Sequence, residues 1–248
     1  MPHQNNQLLA RFGPLEMEAL RPELRTVTLD HGQVLADTHR PIETTYFPYS
    51  GILSFVVALQ NGMAIETGMV GRDGEFGAAN ALDGKVSLNR VIVQVPGLAS
   101  AINSDRLRTI ADHLPNVRAM LIKYELFFVA QVQQTAACNA AHDVHTRMCK
   151  WLLRMHKLVG VDLPLTQEFL AQMMGVQRTS VSGVASQLQK EGLITYRRGH
   201  IHIENLAMVR SHACECHQDI ETHFEKIFAA PLKTIHLQPA SSPDFLGS

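Results

Sequence analysis

Along the first hundred residues, apolar positions come in short runs rich in β-branched and aromatic side chains. Arg25–Leu29, Thr45–Phe47, Ile52–Val57, Ala64–Thr67 and Val91–Val95 are such runs, and Gly32, Gly51, Gly62, Gly71, Gly77, Gly84 and Gly97 are among the glycines that punctuate them. Many short strands joined by glycine turns predict an all-β sandwich or barrel over Arg25–Ser104. Ahead of it, Gln7–Leu24 reads as a short helical stretch broken at Gly13-Pro14 and Arg21-Pro22. After Pro115 the period changes to that of a helix: Val117, Met120, Leu121, Tyr124, Phe127, Phe128, Val132 and Thr135 share one face. Asn116–Ala141 is therefore a long amphipathic helix, roughly 39 Å at 1.5 Å per residue. Its wide apolar stripe needs cover, from its own domain or from a second copy of the helix. The length favours a dimer seam, with Val117, Met120, Tyr124, Phe127 and Phe128 as its residues.

Asp143 suits the N-cap of a following helix, Val144–Val159, with Met148, Trp151, Leu152 and Met155 inward. Asn139–His142 then forms a hinge. Between Leu165 and Ile203 the pattern is more specific. Thr166 caps a helix that buries Phe169, Leu170 and Met173, and Gly175 stands where a left-handed residue ends it. A second helix from Val176 to Leu188 turns Val181, Val184, Ala185 and Leu188 inward. Its first turns expose Gln177, Arg178, Thr179, Ser180 and Ser182. Helix, glycine turn, then a helix opening with Arg and hydroxyls is helix-turn-helix grammar. An Arg there can fork onto guanine O6 and N7, and Ser or Thr can bond phosphate or base edges. Gly192–Tyr196 and Ile201–Ile203 then read as two strands around a tight turn, a wing with Arg197 and Arg198 at its tip. An ordinary helical hairpin with a solvated Arg pair would account for any one of these elements, but not for all of them in this order.

Leu206–Phe228 reads as one final helix, and Pro231 onward as a loose tail. The whole chain of 248 residues carries 22 Lys+Arg against 23 Asp+Glu, a formal charge of -1, and shows no global preference for nucleic acid. The balance is uneven along it. Residues 142–205 hold 8 basic and 5 acidic side chains, so the excess of positive charge lies with the helix-turn-helix and wing. Four cysteines are too few for a disulfide scaffold and suit a reducing cytosol. Neither a signal peptide nor a membrane span is expected, since Pro48, Gly51 and Gly62 interrupt the longest uncharged stretch.

Leu165–Ser182 followed by Leu188–Ile194 resembles the winged helix-turn-helix of the Crp/Fnr family of bacterial transcription regulators. The upstream order, a β-rich domain, a long helix and Asp143–Leu153, agrees, so the resemblance spans about Thr26–Glu204. It implies an α+β chain with four parts. Residues 1–115 would be a cyclic-nucleotide-binding-like β-roll (jelly-roll-like) and 116–141 a dimerisation helix. Residues 142–205 would be a C-terminal winged helix-turn-helix, and 206–248 a last helix and tail. The resemblance further implies a homodimer on an inverted-repeat operator of double-stranded DNA, contact with RNA polymerase, and a small-molecule effector that sets how the two heads are posed. Thr166, Gln177, Arg178, Thr179, Ser180, Ser182, Arg197 and Arg198 would face the DNA. In the family a Glu often follows the first Arg of the recognition helix, with another Arg five positions after the first. Here those positions are Thr179 and Gly183, so base readout rests on fewer side chains.

Nucleotide-binding members carry Gly-Glu-hydrophobic-small, then Arg-Ser/Thr-Ala about a dozen residues on. Gly74-Glu75-Phe76-Gly77 matches the start. Arg90, the nearest later Arg, is followed by Val91 and Ile92 and stands fifteen residues beyond Glu75. Gly74, Glu75 and Arg90 are the candidate effector residues, yet a bound cyclic nucleotide is not the expectation and no cofactor is assigned. His212, Cys214, Cys216, His217 and His223 crowd the last predicted helix. Residues two apart on a helix face about 200° apart, so Cys214 and Cys216 cannot chelate together without unwinding. His212 with Cys216, and Cys214 with His217, give two ligands each; structural cysteines are expected and no metal. The family's iron–sulfur sensors carry cysteines near the N-terminus, and here none precedes Cys138. His142, His145 and His156 read as helix-face residues. Alternatives to a DNA reader are a haem or other small-molecule sensor acting through protein contacts, and a metal-dependent enzyme. The latter lacks any nucleophile elbow, phosphate loop or paired-His zinc helix, and no enzyme is expected.

Overall fold

A computed structural model describes residues 2–60, 62–83, 86–87 and 89–229. The loose tail expected from Pro231 lies outside the described residues. Near the N-terminus the stretch from Gln7 breaks at Gly13-Pro14 and its helix ends before Arg21-Pro22, as expected, while the part ahead of Gly13 is not α-helical. Short 3₁₀ turns at Pro2–Asn5 and Leu9–Arg11 precede α1 (Pro14–Leu20), which starts with Pro in its first turn, where a missing N–H costs nothing. Among the described residues seven strands follow: β1 (Arg25–Leu29), β2 (Val34–Ala36), β3 (Thr44–Pro48), β4 (Ile52–Ala58), β5 (Ala64–Val70), β6 (Arg90–Val95) and β7 (Gly97–Asn103), with α2 (Ala78–Asp83) between β5 and β6. They make two antiparallel sheets, ordered β1-β7-β3 and β2-β6-β4-β5. Two strands, β2 and β7, escaped the sequence pattern. In β7 the buried residues are Ala99, Ser100, Ala101 and Ile102; all but Ile102 are small side chains of low strand preference, which a central strand tolerates because strands pair with it on both edges.

From β7 the chain enters α3 (Ser104–His113), capped by Asn103, and then α4 (Pro115–Ala141). α4 lays Val117, Met120, Leu121, Tyr124 and Phe127 into the core of its own β-roll. α5 (Val144–Val159) is capped by Asp143, whose side chain accepts the N–H of Thr146 at 2.9 Å. Then come β8 (Asp162–Leu163), α6 (Gln167–Met174), α7 (Arg178–Lys190), β9 (Ile194–Arg197) and β10 (His200–Ile203). The wing has three strands in the order β8-β10-β9.

The expected last helix is two. α8 (Leu206–His212) ends at Ala213, whose extended backbone breaks the rod, and α9 (Cys216–Ala229) turns back along α4. Apolar pairing drives the reversal: Phe224 meets Phe127 edge to face at 5.0 Å between centroids, and Ile220 and Phe228 join the same core. The guanidinium of Arg11 lies 5.1 Å from the Phe228 ring centre and donates to the Phe228 carbonyl at 3.2 Å.

A second core holds the head together, from Met148, Leu152 and Met155 of α5 to Val181, Leu188 and Ile201. It does not stop at the head. Ile52, Met69 and Val95 of the β-roll belong to it, so the two units share buried surface. Among the described residues no helix is long and apolar enough to cross a membrane.

Candidate nucleic-acid interface

The helix pair is set by local chemistry. Thr166 takes the Phe169 N–H at 3.1 Å and starts α6. Gly175 stops it at φ 62° and ψ 37°, the left-handed conformation that glycine adopts without strain. Arg147 of α5 donates to the Met174 carbonyl at 2.6 Å, satisfying one of the open groups at that helix end. α7 then begins at Arg178, with Gln177 as its extended N-cap residue.

Gln177, Arg178, Thr179 and Ser180 are all exposed at this helix start, as expected. Arg178 is not idle: its Nε stands 3.6 Å from the Glu168 carboxylate, with both side chains largely in solvent. An exposed pair of this kind contributes little and exchanges readily for a phosphate or a guanine edge. Ser182 departs from its expected role. It is half-buried and donates to Gln167 Oε1 at 2.6 Å, while the Gln167 N–H is held by the Tyr196 hydroxyl at 3.2 Å. Ser182 therefore fastens α7 to α6 and the wing. Sequence spacing put it near the reading face but could not show that Gln167 was within reach.

Gly183 sits on the exposed side with nothing within 4 Å of a notional Cβ, so the backbone itself is open to approach. Glu168 and Ser186, exposed on α6 and on the turn after Gly183, went unremarked in the sequence. Arg197 closes β9, and Arg198 with Gly199 makes the two-residue turn at φ 47° and 79°, the pair of positive angles that tight antiparallel turns use. Both arginines are exposed at the tip.

The candidate effector residues do not converge. The Gly74 backbone is packed so tightly that a Cβ would lie 1.8 Å from the Tyr124 hydroxyl oxygen. Glu75 is buried and accepts the Ala78 N–H at 2.9 Å. Burial, with Glu125 beside it, holds its carboxyl well above the usual range. Arg90 is exposed at the start of β6, 3.9 Å from Asp37. A side chain of α4 thus fills the space above the glycine that a phosphate would need.

The residues expected at a dimer seam are also committed elsewhere. Val117, Met120, Tyr124 and Phe127 are buried in their own protomer, and Phe128 packs on Phe55 at 4.4 Å between ring centres. The aromatic stripe was the strongest signal in the helix, and the β-roll claims it first. The outer face carries Ile122, Leu126 and Val129, exposed by 44, 64 and 49%, and continues through Gln133, Ala136 and Ala140. Steps of four and three residues along this face are the seam of a coiled coil.

Head and β-roll meet through buried polar contacts. Trp151 Nε1 donates to Glu66 Oε1 at 3.0 Å, and Ser54 donates to Oε2 at 2.5 Å. Burial raises the Glu66 carboxyl to about 7 despite those hydrogen bonds and the positive charges of Arg154 and Lys150. Arg154 pairs with Asp73 at 2.5 Å and donates to the Met69 carbonyl at 3.1 Å. That guanidinium keeps the buried Asp73 carboxyl below its ordinary value, against the burial that alone would raise it.

Residues 146–211 match the family model described as the Crp-like helix-turn-helix domain. Comparison with curated proteins by sequence found no match. Among solved structures, FixK2 from Bradyrhizobium japonicum has a TM-score of 0.67 at 14% identity, covering 77% of this chain and 98% of its own. CLP from Xanthomonas campestris, a regulator responsive to c-di-GMP, has a TM-score of 0.64 at 16% identity, covering 78% and 100%. A CRP-family transcriptional regulator from Thermus thermophilus has a TM-score of 0.64 at 19% identity, covering 75% and 96%. The fold is that of the Crp/Fnr transcription regulators, an α+β chain with a β-roll, a long helix and a winged head. The head itself is a Crp-like helix-turn-helix, a DNA-binding module.

Proposed function

We propose that the protein regulates transcription by binding an inverted-repeat duplex operator as a homodimer, with one head on each half-site. The observation that carries this reading is the exposed opening of α7 with Arg178, together with the exposed Arg197-Arg198 wing tip, inside a Crp-like head. α7 enters the major groove from its N-terminal turn, and the wing arginines rest on phosphate. Arg178 leaves Glu168 and forks onto a base edge. Ile122, Leu126 and Val129 pair with their counterparts on a second chain, which covers the one face of α4 left apolar and exposed. RNA polymerase is the further partner.

Effector control belongs to the join between head and β-roll rather than to the Gly74-Glu75 cassette, which Tyr124 fills. A partly open cavity of about 70 Å³ lies at that join, lined in part by Glu66, Gln131, Trp151 and Arg154. It is well below the size of a nucleotide site. No enzymatic step is assigned. The test is a gel-shift series with the chain's own promoter region across a range of salt. A reader of phosphate and base edges loses affinity steeply with salt and discriminates operator from random duplex. Binding that is flat in salt, or equal on both duplexes, would overturn the proposal.

A further inference from the structure

The break between α8 and α9 brings together four side chains that the sequence keeps far apart. Cys138 and His142 lie one turn apart at the end of α4, and Cys214 and Cys216 lie in and just after the break. Their ligating atoms all fall within 4.8 Å of one another. Cys138 Sγ is 3.6 Å from Cys214 Sγ, and Cys216 Sγ is 3.6 Å from His142 Nδ1. A tetrahedral zinc site with Zn–S of about 2.3 Å and Zn–N of about 2.0–2.1 Å has S···S edges of about 3.8 Å and S···N edges of about 3.6 Å. These two separations match edges of such a site, and the Cys138–Cys214 sulfur separation is too long for a disulfide of about 2.05 Å.

We propose that Cys138, His142, Cys214 and Cys216 bind one zinc ion that clamps the end of α4 to the α8–α9 break. Three further observations agree. The three cysteines form a buried cluster of their own, joined to neither apolar core, so packing alone does not explain them. His142 Nε2 is 3.3 Å from the Glu215 carboxylate, so the carboxylate holds the ring with Nδ1 free to ligate, an outer-sphere arrangement typical of histidine bound to metal. Arg147 and Lys150 line the adjoining cavity and offset the negative charge of three thiolates around a dication. The helix-face argument against joint chelation by Cys214 and Cys216 assumed an unbroken helix. Ala213, at ψ 151°, removes that assumption. Binding releases three thiol protons to solvent and forms three S–Zn bonds and one N–Zn bond, with no change of oxidation state. Thiolate-rich Cys₃His sites suit zinc and leave no open position, so the ion is structural.

The test uses the untagged full-length protein, with its metal content measured by mass spectrometry after expression in zinc-supplemented medium. One zinc per chain is expected. Cys138→Ser, Cys216→Ser and His142→Ala should lose it, while Cys149→Ser, buried in the head core, should keep it. If the variants fail to fold, reduced metal-free wild type titrated with Co(II) serves instead. It should develop the visible bands of a tetrahedral thiolate site, saturate at one equivalent, and lose them on adding Zn(II). A reduced protein that takes up neither ion would overturn the proposal, as would a Cys138–Cys214 disulfide detected by mass in freshly purified protein. Zinc content unchanged by Cys138→Ser would do the same. Metal content is read without DNA, so operator binding stands or falls separately.

Discussion

At the scale of single residues, the reading face and the join between units make separate demands. Arg178→Ala should relax preference at one base pair by about 1–3 kcal/mol while leaving binding to random duplex nearly unchanged. Competition gel shifts with single-base operator variants check this, and equal losses on both duplexes would move Arg178 to the phosphate class. Arg198→Ala should weaken operator and random duplex alike and lower the salt slope by about 1. Glu66 supplies a different handle, because its hydrogen-bond partner Trp151 is the chain's one tryptophan. A carboxyl raised to about 7 keeps its proton in the folded state after the unfolded chain has lost it near 4.5. The folded state thus binds more protons across that window, so stability declines as pH rises from about 4.5 to 7. Trp151 emission should titrate with a midpoint near 7, and Glu66→Gln should abolish both the titration and the decline.

Among the elements, legibility followed how local each determinant was. The helix-turn-helix could be read because its grammar is local: Thr166 caps, Gly175 reverses, and Val181, Ala185 and Leu188 keep period. The strands at Ile52 and Val91 were equally plain. β7 was hidden because its Ala and Ser residues owe their strand to neighbours on both edges. The break at Ala213 was hidden too, for no glycine or proline marks it. It exists because Ile220, Phe224 and Phe228 pack on α4, a contact between residues nearly a hundred positions apart. On α4 itself, periodicity found an apolar helix but assigned the aromatic face to the wrong partner. Leu126→Glu tests the face that remains. Leu126 is 64% exposed, so the change should spare the folded protomer. It should give a monomer in sedimentation and a large loss of operator affinity; a dimer that persists would place the seam elsewhere.

For the molecule as a whole, the head is held in place by the Arg154–Asp73 pair and the surface around Met69 and Val95. Asp73→Asn leaves a buried guanidinium short of its counter-charge. Breaking a buried pair in this way costs about 3–5 kcal/mol. Denaturant unfolding should show that loss, and limited proteolysis should cut faster near His142–Asp143 if the head detaches before the β-roll unfolds. Charge was legible at this scale once divided along the chain, since the basic excess lies in the segment that forms the head. What the sequence could not show was that the chain enters and leaves the head at one spot.

That coincidence governs how the head can move. A body tethered by a single linker at His142–Asp143 could pivot in any direction, like a ball in a socket. Here the returning segment at Ala213–Cys216 lies beside the outgoing one at Cys138–His142. Two adjacent crossings oppose twisting and leave chiefly one swing, about the line that joins them. Under the proposed function, a signal at the β-roll would then have only an angle to set, and two heads on fixed half-sites are easier to match with one variable than with three.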